Sequence, residues 1–200
     1  MKYNPSLKRL LDLVLTAIAL LILSPIFYFI IIFIRLDSTG PAFFKQKRIG
    51  QHFRPFHLIK FRSMAVHGSL MQHEFDPGYI GRVTRIGAFL RKTKLDELPE
   101  LFNVLNGDMS IVGPRPEVRE YVQAYLGDFK AILKIRPGLS DYASIKYRDE
   151  EKILADRAHP EKFYEEEILP DKLHLAKEYI ESISFKTDIH IIVETLKSIL

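Results

Sequence analysis

Twenty-two consecutive residues near the start of the chain, from Leu13 to Ile34, carry no charge, and they constrain the fold more than any other feature. As a straight helix this segment would be about 33 Å long at ~1.5 Å per residue, enough to cross a hydrocarbon core of ~30 Å. The sequence therefore predicts a membrane helix. A cleaved signal peptide is the first alternative, but its shorter apolar stretch would end at small residues, whereas this one runs into Arg35.

Both flanks of the apolar segment are basic: Lys2, Lys8 and Arg9 precede it, and Arg35, Lys45, Lys47 and Arg48 follow it. Because positive residues favour the cytoplasmic side, both ends qualify for the same side. Ser24-Pro25 lies near the midpoint, where proline removes a backbone donor and allows a bend, with the freed carbonyls capped by Ser24 or nearby groups. The residues alone leave open a re-entrant helix over 1–36 and a kinked single-pass helix.

The remainder, 37–200, is predicted to form one functional unit, because 200 residues with 47% hydrophobic content are too few for two ordinary domains besides the membrane segment. The chain has no cysteine, which excludes disulfides, thiolate-bound zinc and cysteine nucleophiles. Lys and Arg concentrate in 35–94, and Asp and Glu in 149–181. The basic part suits lipid head groups or a phosphorylated substrate; no nucleic-acid-binding motif is present.

Local patterns predict a helix-rich α+β domain. Aromatic runs at Phe43–Arg48 and Phe56–Phe61 are typical of a short hairpin, and 63–78 is predicted to be a loop. Tyr79–Lys94 is basic and amphipathic, which suits an interfacial helix. Further helices are expected from near Asp96 to Asn106-Gly107, near 117–134, around 160–181, and over Ile189–Ile199, with a turn at Arg136-Pro137-Gly138.

Asp96 and Glu97 are the strongest candidates for chemistry. Pro99 places them at a helix start, where ordinary capping is a sufficient explanation for both carboxylates. Their neighbours favour a functional role besides capping, because Arg91 and Lys94 precede them and Asp108 follows. Carboxylates beside basic groups and a helix N-terminus suit phosphate and Mg²⁺, which is the outline of a phosphoryl-transfer site.

Other candidates have simpler explanations. Arg115 lies between Pro114 and Pro116, which indicates defined placement, although an exposed stiff turn fits as well. Lys60 could belong to an edge strand with solvated charges. The seven histidines show no metal-binding spacing, and GxxxxGK[ST], GxGxxG and GxSxG motifs are absent.

Taken together, the motifs resemble those of the bacterial sugar transferases, the monotopic phosphoglycosyl transferases. The matching segments run in order along the chain: Ser24-Pro25, Phe44–Gln46, Arg48–Gly50, Lys60–Met64, Arg91, Leu95–Pro99, Gly107–Pro116 and Arg136–Gly138. One segment departs from the family pattern, because many members continue with Thr-Gly and a Gln where this chain has Leu139–Ser144.

The resemblance implies transfer of sugar-1-phosphate from a UDP-sugar to undecaprenyl phosphate, with UMP release and Mg²⁺, as the first step of lipid-linked glycan (polysaccharide or glycoprotein) synthesis. It implies a covalent phosphosugar on Asp96, which would also touch Mg²⁺. Glu97 would orient Asp96 or handle a proton, and Arg91, Arg115 and Lys60 would hold phosphate oxygens.

The resemblance also favours the re-entrant form of the apolar helix, broken at Ser24-Pro25, at the cytoplasmic face of the bacterial inner membrane. The chain's length fits the small version of the family. The sequence leaves the sugar, the pathway and the oligomeric state open and allows a homo-oligomer. Two rival functions remain: a non-catalytic anchored scaffold that binds anionic lipids and assembly enzymes, and a membrane phosphatase or hydrolase.

Overall fold

The computed structural model describes residues 4–65 and 83–199, and His67, His73 and most of the predicted 63–78 loop lie outside this range. Helix α1 (Pro5–Asp37) contains the whole apolar segment. It is long and apolar enough to cross a membrane by length and composition. Pro25 lies inside it, and the Ser24 hydroxyl donates to the Leu21 carbonyl at 2.8 Å. That carbonyl is the acceptor that Pro25 leaves without an N–H donor, so the predicted capping by Ser24 is confirmed.

One stripe of α1 packs against the rest of the chain, and the other faces outward. The buried residues recur at helical spacing and are Asp12, Thr16, Phe27, Ile30 and Ile34. The outward side includes Leu21, which is 77% exposed, and Ile22, which is 68% exposed. Large apolar side chains in that position suit contact with lipid.

The predicted hairpin is confirmed. Strands β1 (Phe43–Ile49) and β2 (Pro55–Phe61) pair antiparallel, with Phe43 opposite Phe61. Phe61 packs with Phe27 of α1 at a ring-centroid distance of 5.2 Å. The hairpin therefore lies directly beside the apolar helix.

Two short helices follow the hairpin. Helix α2 (Arg85–Lys92) buries Leu90 and leaves Phe89 57% exposed, as expected for an amphipathic element; residues 79–82 of the predicted stretch lie outside the described range. Helix α3 (Glu100–Asn106) ends as predicted, with Gly107 at φ 91°. Its predicted start near Asp96 is wrong: Leu95–Glu97 forms a separate 3₁₀ turn, because Pro99 occupies the N-cap of α3.

A parallel strand pair joins two segments that local patterns did not mark as strands. Strand β3 (Ser110–Val112) pairs with β4 (Gly138–Ser140). Between them lie α4 (Arg119–Ala124) and α5 (Leu126–Ile132). The single helix expected near 117–134 is therefore two helices, broken where Tyr125 leaves helical geometry at φ −114° and ψ 40°.

The last part of the described chain is helical. It contains α6 (Tyr142–Lys146), α7 (Glu150–Ala155), α8 (Pro160–Phe163), a wide π-helical turn (Tyr164–Ile168), α9 (Leu169–Ser182) and α10 (Phe185–Ile199). Its core includes Phe129, Tyr164 and Leu169. The architecture is thus a helix-rich α+β fold with small sheets and one long apolar helix, in agreement with the predicted fold class.

Close packing of β3 on β4 predicts that Gly138→Ala destabilises the protein. A Cβ at Gly138 would lie 2.1 Å from the Gly113 nitrogen, which is backbone and cannot move aside cheaply. We expect a loss of about 1–3 kcal/mol in the free energy of unfolding, measured by circular dichroism in lipid nanodiscs. Gly127→Ala in α5 is the matched control, because no atom lies within 4 Å of the added Cβ. Equal free energies of unfolding for Gly138→Ala and Gly127→Ala would contradict this packing.

Candidate active site

Asp96 lies in the 3₁₀ turn, held inward by an unusual backbone. Lys94, the residue before this turn, has φ 58°, in the left-handed region, and Asp96 itself is only 9% exposed. Its Oδ1 has no hydrogen-bond partner in the part of the chain that the structure describes. Burial, and then the neighbouring negative charge of Glu97, raise the pKa of Asp96 to about 6. Asp96 is therefore a more basic carboxylate than one in water.

Glu97 bridges two cations that come from different parts of the chain. Lys60 Nζ lies 2.8 Å from its Oε1, and the guanidinium of Arg115 contacts both of its oxygens. Burial opposes ionisation, but the charges of Arg115 and Lys60 outweigh it and hold the pKa of Glu97 well below its usual value. Glu97 is thus ionised at neutral pH.

Glu100, at the start of α3, is a site residue that the sequence analysis missed. Its side chain is fully buried, and neither oxygen has a hydrogen bond within residues 4–65 and 83–199; Lys60 Nζ lies 3.5 Å away. Burial, and then the charge of Glu97, raise its pKa to about 7. Spacing gave a usable signal, because Glu100 precedes the core residue Val104 by four positions and so shares its helix face.

Asn103 fixes α3 against β2 and was also missed. Its Oδ1 accepts from the Ile59 nitrogen at 2.9 Å, and its Nδ2 donates to the His57 carbonyl at 2.7 Å. The amide thus pairs with the edge of β2 as a neighbouring strand would. This contact brings Lys60, the next residue of β2, beside Glu97 and Glu100.

Arg115 projects from the Gly113–Pro116 loop after β3. Its guanidinium turns inward to Glu97, so the solvated-turn alternative does not describe it. The loop is tied to β4, because the Gly138 nitrogen donates to the Pro114 carbonyl at 2.9 Å. Burial opposes its charge, but Glu97 and Glu100 raise the pKa of Arg115.

The structure brings Lys60, Asp96, Glu97, Glu100 and Arg115 together and places Arg91 at the edge. Arg91 Nε donates to Glu151 of α7 at 2.8 Å. The positive charge of Arg91 lowers the pKa of Asp96, but less than burial and the charge of Glu97 raise it.

The arrangement suits phosphate chemistry. Asp96 presents a free, poorly solvated carboxylate oxygen, and Lys60 and Arg115 are two cations able to hold phosphate oxygens. Within residues 4–65 and 83–199, no three His, Cys, Asp or Glu side chains form a metal cage. A site that holds Mg²⁺ through one carboxylate together with substrate phosphates remains compatible with the free Asp96 oxygen.

Comparison with known proteins gives a consistent result. A family model described as bacterial sugar transferase matches residues 3–200. An Aeromonas hydrophila UDP-N-acetylgalactosamine-undecaprenyl-phosphate N-acetylgalactosaminephosphotransferase is 39% identical over 142 residues, covering 70% of this chain and 34% of the relative. A Xanthomonas campestris pv. campestris UDP-glucose:undecaprenyl-phosphate glucose-1-phosphate transferase is 40% identical over 144 residues, covering 69% of this chain and 29% of the relative.

A third relative is matched over more of its length. The exopolysaccharide production protein ExoY of Rhizobium meliloti is 35% identical over 162 residues, covering 72% of this chain and 70% of the relative. By contrast, the chain spans only about a third of the Aeromonas and Xanthomonas proteins.

Burial of Glu100 predicts a specific pH dependence of stability. Because folding raises its pKa from 4.5 to about 7, the folded protein holds an extra proton between these values, and its stability falls as pH rises through this window. Glu100→Gln cannot ionise, so its thermal midpoint should fall less between pH 5 and pH 8. The exposed control Glu178→Gln should follow the wild-type curve. A Glu100→Gln curve parallel to the wild type would refute a raised pKa for this buried carboxyl.

Proposed function

The chain belongs to the bacterial sugar transferase family, and we propose that it transfers sugar-1-phosphate from a UDP-sugar to undecaprenyl phosphate with release of UMP. The observation that carries this proposal is the free Asp96 oxygen beside the Lys60–Glu97–Arg115 cluster. A nucleophile next to two cations is what transfer of a phosphoryl group requires. The relatives' names supply the donor and acceptor classes.

In the first step, Asp96 Oδ1 attacks the phosphorus that carries the sugar. An oxygen–phosphorus bond forms, the bond to the UMP oxygen breaks, and UMP leaves with the bonding electron pair. In the second step, a phosphate oxygen of undecaprenyl phosphate attacks the same phosphorus and releases the Asp96 carboxylate. Two half-reactions allow a soluble donor and a lipid acceptor to use one site in turn.

Neither step requires proton transfer, because the attacking and leaving oxygens are anionic. This chemistry agrees with a Glu97 that stays ionised and orients Lys60 and Arg115, rather than one that carries a proton. Lys60 and Arg115 would hold donor phosphate oxygens, and Arg91 would do so from the edge of the site. Asp96, together with the substrate's diphosphate, would hold Mg²⁺, which would neutralise the diphosphate charge.

We propose further that α1 is re-entrant and that the rest of the chain lies at the cytoplasmic face of the inner membrane. Two residues of α1 contact the seven-residue α3: Arg9 Nη1 donates to the Val104 carbonyl at 2.7 Å, and the Phe27 ring lies 5.6 Å from that of Phe102. In a straight helix the Cα atoms of Arg9 and Phe27 would be about 27 Å apart. Their partners in α3, Val104 and Phe102, are only two residues apart, so the two ends of this part of α1 come close together. This favours a bend at Pro25. The exposed Phe89 and the basic residues of α2 suit the same lipid surface.

Replacing Asp96 with Asn should abolish turnover and the covalent intermediate, because the amide is a poor nucleophile. The assay measures UMP release from UDP-glucose, UDP-galactose and UDP-N-acetylgalactosamine with undecaprenyl phosphate, and intact-protein mass spectrometry detects the phosphosugar adduct. Asp128→Asn, at the surface ion pair with Lys177, is the matched control and should retain wild-type turnover. Substantial turnover by Asp96→Asn would exclude the covalent route, and turnover without the lipid phosphate would favour a hydrolase.

The re-entrant arrangement predicts that both flanks of α1 label from the same side. Since the chain has no cysteine, Ser6→Cys and Lys45→Cys each introduce a single reactive site. In intact spheroplasts, a membrane-impermeant maleimide should label neither; in inverted vesicles it should label both. Labelling of Ser6→Cys in intact spheroplasts would show a single-pass helix.

A further inference from the structure

The loop that carries Arg115 is an extension of the parallel pair of β3 and β4. The Ser110 nitrogen donates to the Pro137 carbonyl at 2.8 Å, and the Gly113 nitrogen donates to the Ser140 carbonyl at 3.1 Å. Backbone hydrogen bonds thus hold the chain as far as Pro114. The next donor on this side is the Arg115 nitrogen, since Pro114 has no N–H.

At Arg115 the opposite strand offers no further backbone acceptor, because α6 begins at Tyr142. The side chain of Asp141 takes its place. Its Oδ2 accepts from the Arg115 nitrogen at 3.0 Å, while its Oδ1 accepts from the Ser144 nitrogen at 2.6 Å and caps α6. Asp141 is 4% exposed, so water does not compete freely for either bond.

This double role requires two acceptor oxygens on one short side chain. A carboxylate has them, whereas serine or threonine could cap α6 with one hydroxyl but would leave the Arg115 nitrogen unpaired. The charge also fits, since Asp141 contributes to raising the pKa of Arg115, after the larger effects of burial, which opposes it, and of Glu97 and Glu100.

We propose that Asp141 is the positioning residue for Arg115: it fixes the backbone of the Pro-Arg-Pro turn so that the guanidinium meets Glu97 and the donor phosphates. Asp141 touches no reacting atom and acts only through Arg115. The inference rests on the proposed function for the role of Arg115, but the positioning itself is a property of the folded chain that can be measured without substrate.

The test uses Asp141→Ser in the full-length protein in nanodiscs, because serine retains the cap of α6 and removes the contact with Arg115. Hydrogen exchange followed by NMR should show at least about tenfold faster exchange of the Arg115 amide and unchanged exchange of the Ser144 amide. Turnover should fall about 10- to 100-fold, the equivalent of one lost hydrogen bond to a buried charged group. Asp141→Ala should expose both amides.

A double-mutant cycle with Arg115→Ala separates positioning from general damage. If Asp141 acts through Arg115, Asp141→Ser should cost little further turnover in the Arg115→Ala background; losses that multiply would overturn the proposal. Unchanged protection of the Arg115 amide in Asp141→Ser would overturn it as well. Should the wild type show no transferase turnover, or Arg115→Ala be too slow to measure, exchange at the Arg115 amide decides the positioning, so failure of the proposed function is seen separately.

Discussion

The ionised carboxylate of Glu97, held between Lys60 and Arg115, is the interaction on which the site depends. Lys60 comes from β2 and Arg115 from the loop after β3, so this single carboxylate joins two separate parts of the fold. The buried cluster also contains Asp96 and Glu100, giving three carboxyl groups for these two cations. Within the described residues, Asp96 and Glu100 retain oxygens without hydrogen bonds while Glu97 engages both cations; burial, and then the charge of Glu97, raise the pKa of both carboxyls. The raised pKa of Asp96 thus depends in part on the charge of its ion-paired neighbour Glu97.

Features that depend on neighbouring residues were predictable from the sequence. The apolar helix, the β1–β2 hairpin and the end of α3 at Gly107 each follow from a run of a few residues with a defined periodicity or turn chemistry. The start of α3 was not placed correctly, because Pro99 suits both the N-cap and the first turn, and only packing selects between them. Clustering of Lys60 with Glu97 needed the contact of Asn103 with β2, which joins residues 44 and 46 positions apart and has no local pattern.

Long-range backbone pairing explains the other omission. Strands β3 and β4 have three residues each, too few to produce a recognisable alternation, and they pair across the intervening α4 and α5. Yet this pair sets the position of the Arg115 loop. The motif Gly113–Pro116 was visible in the sequence, and its resemblance to a family was correct. The sequence could not show that the Gly113–Pro116 turn continues the pairing of β3 with β4. There the Asp141 side chain, in place of a backbone carbonyl, accepts from the Arg115 nitrogen.

The apolar helix is attached at both ends to the elements that carry the site. Arg62, which is buried and lies two residues after Lys60 of β2, binds the C-terminal end of α1. It donates to the Ser38 carbonyl at 2.7 Å and to the Thr39 carbonyl. Near the N-terminal end of α1, Arg9 donates to the Val104 and Leu105 carbonyls at the end of α3, the helix that begins with Glu100. Both guanidinium groups bind carbonyls at or just beyond a helix C-terminus, where intrahelical N–H donors run out. A shift of α1 would therefore either break these bonds or displace Lys60 and Glu100, so the position of the apolar helix is coupled to that of the charge cluster.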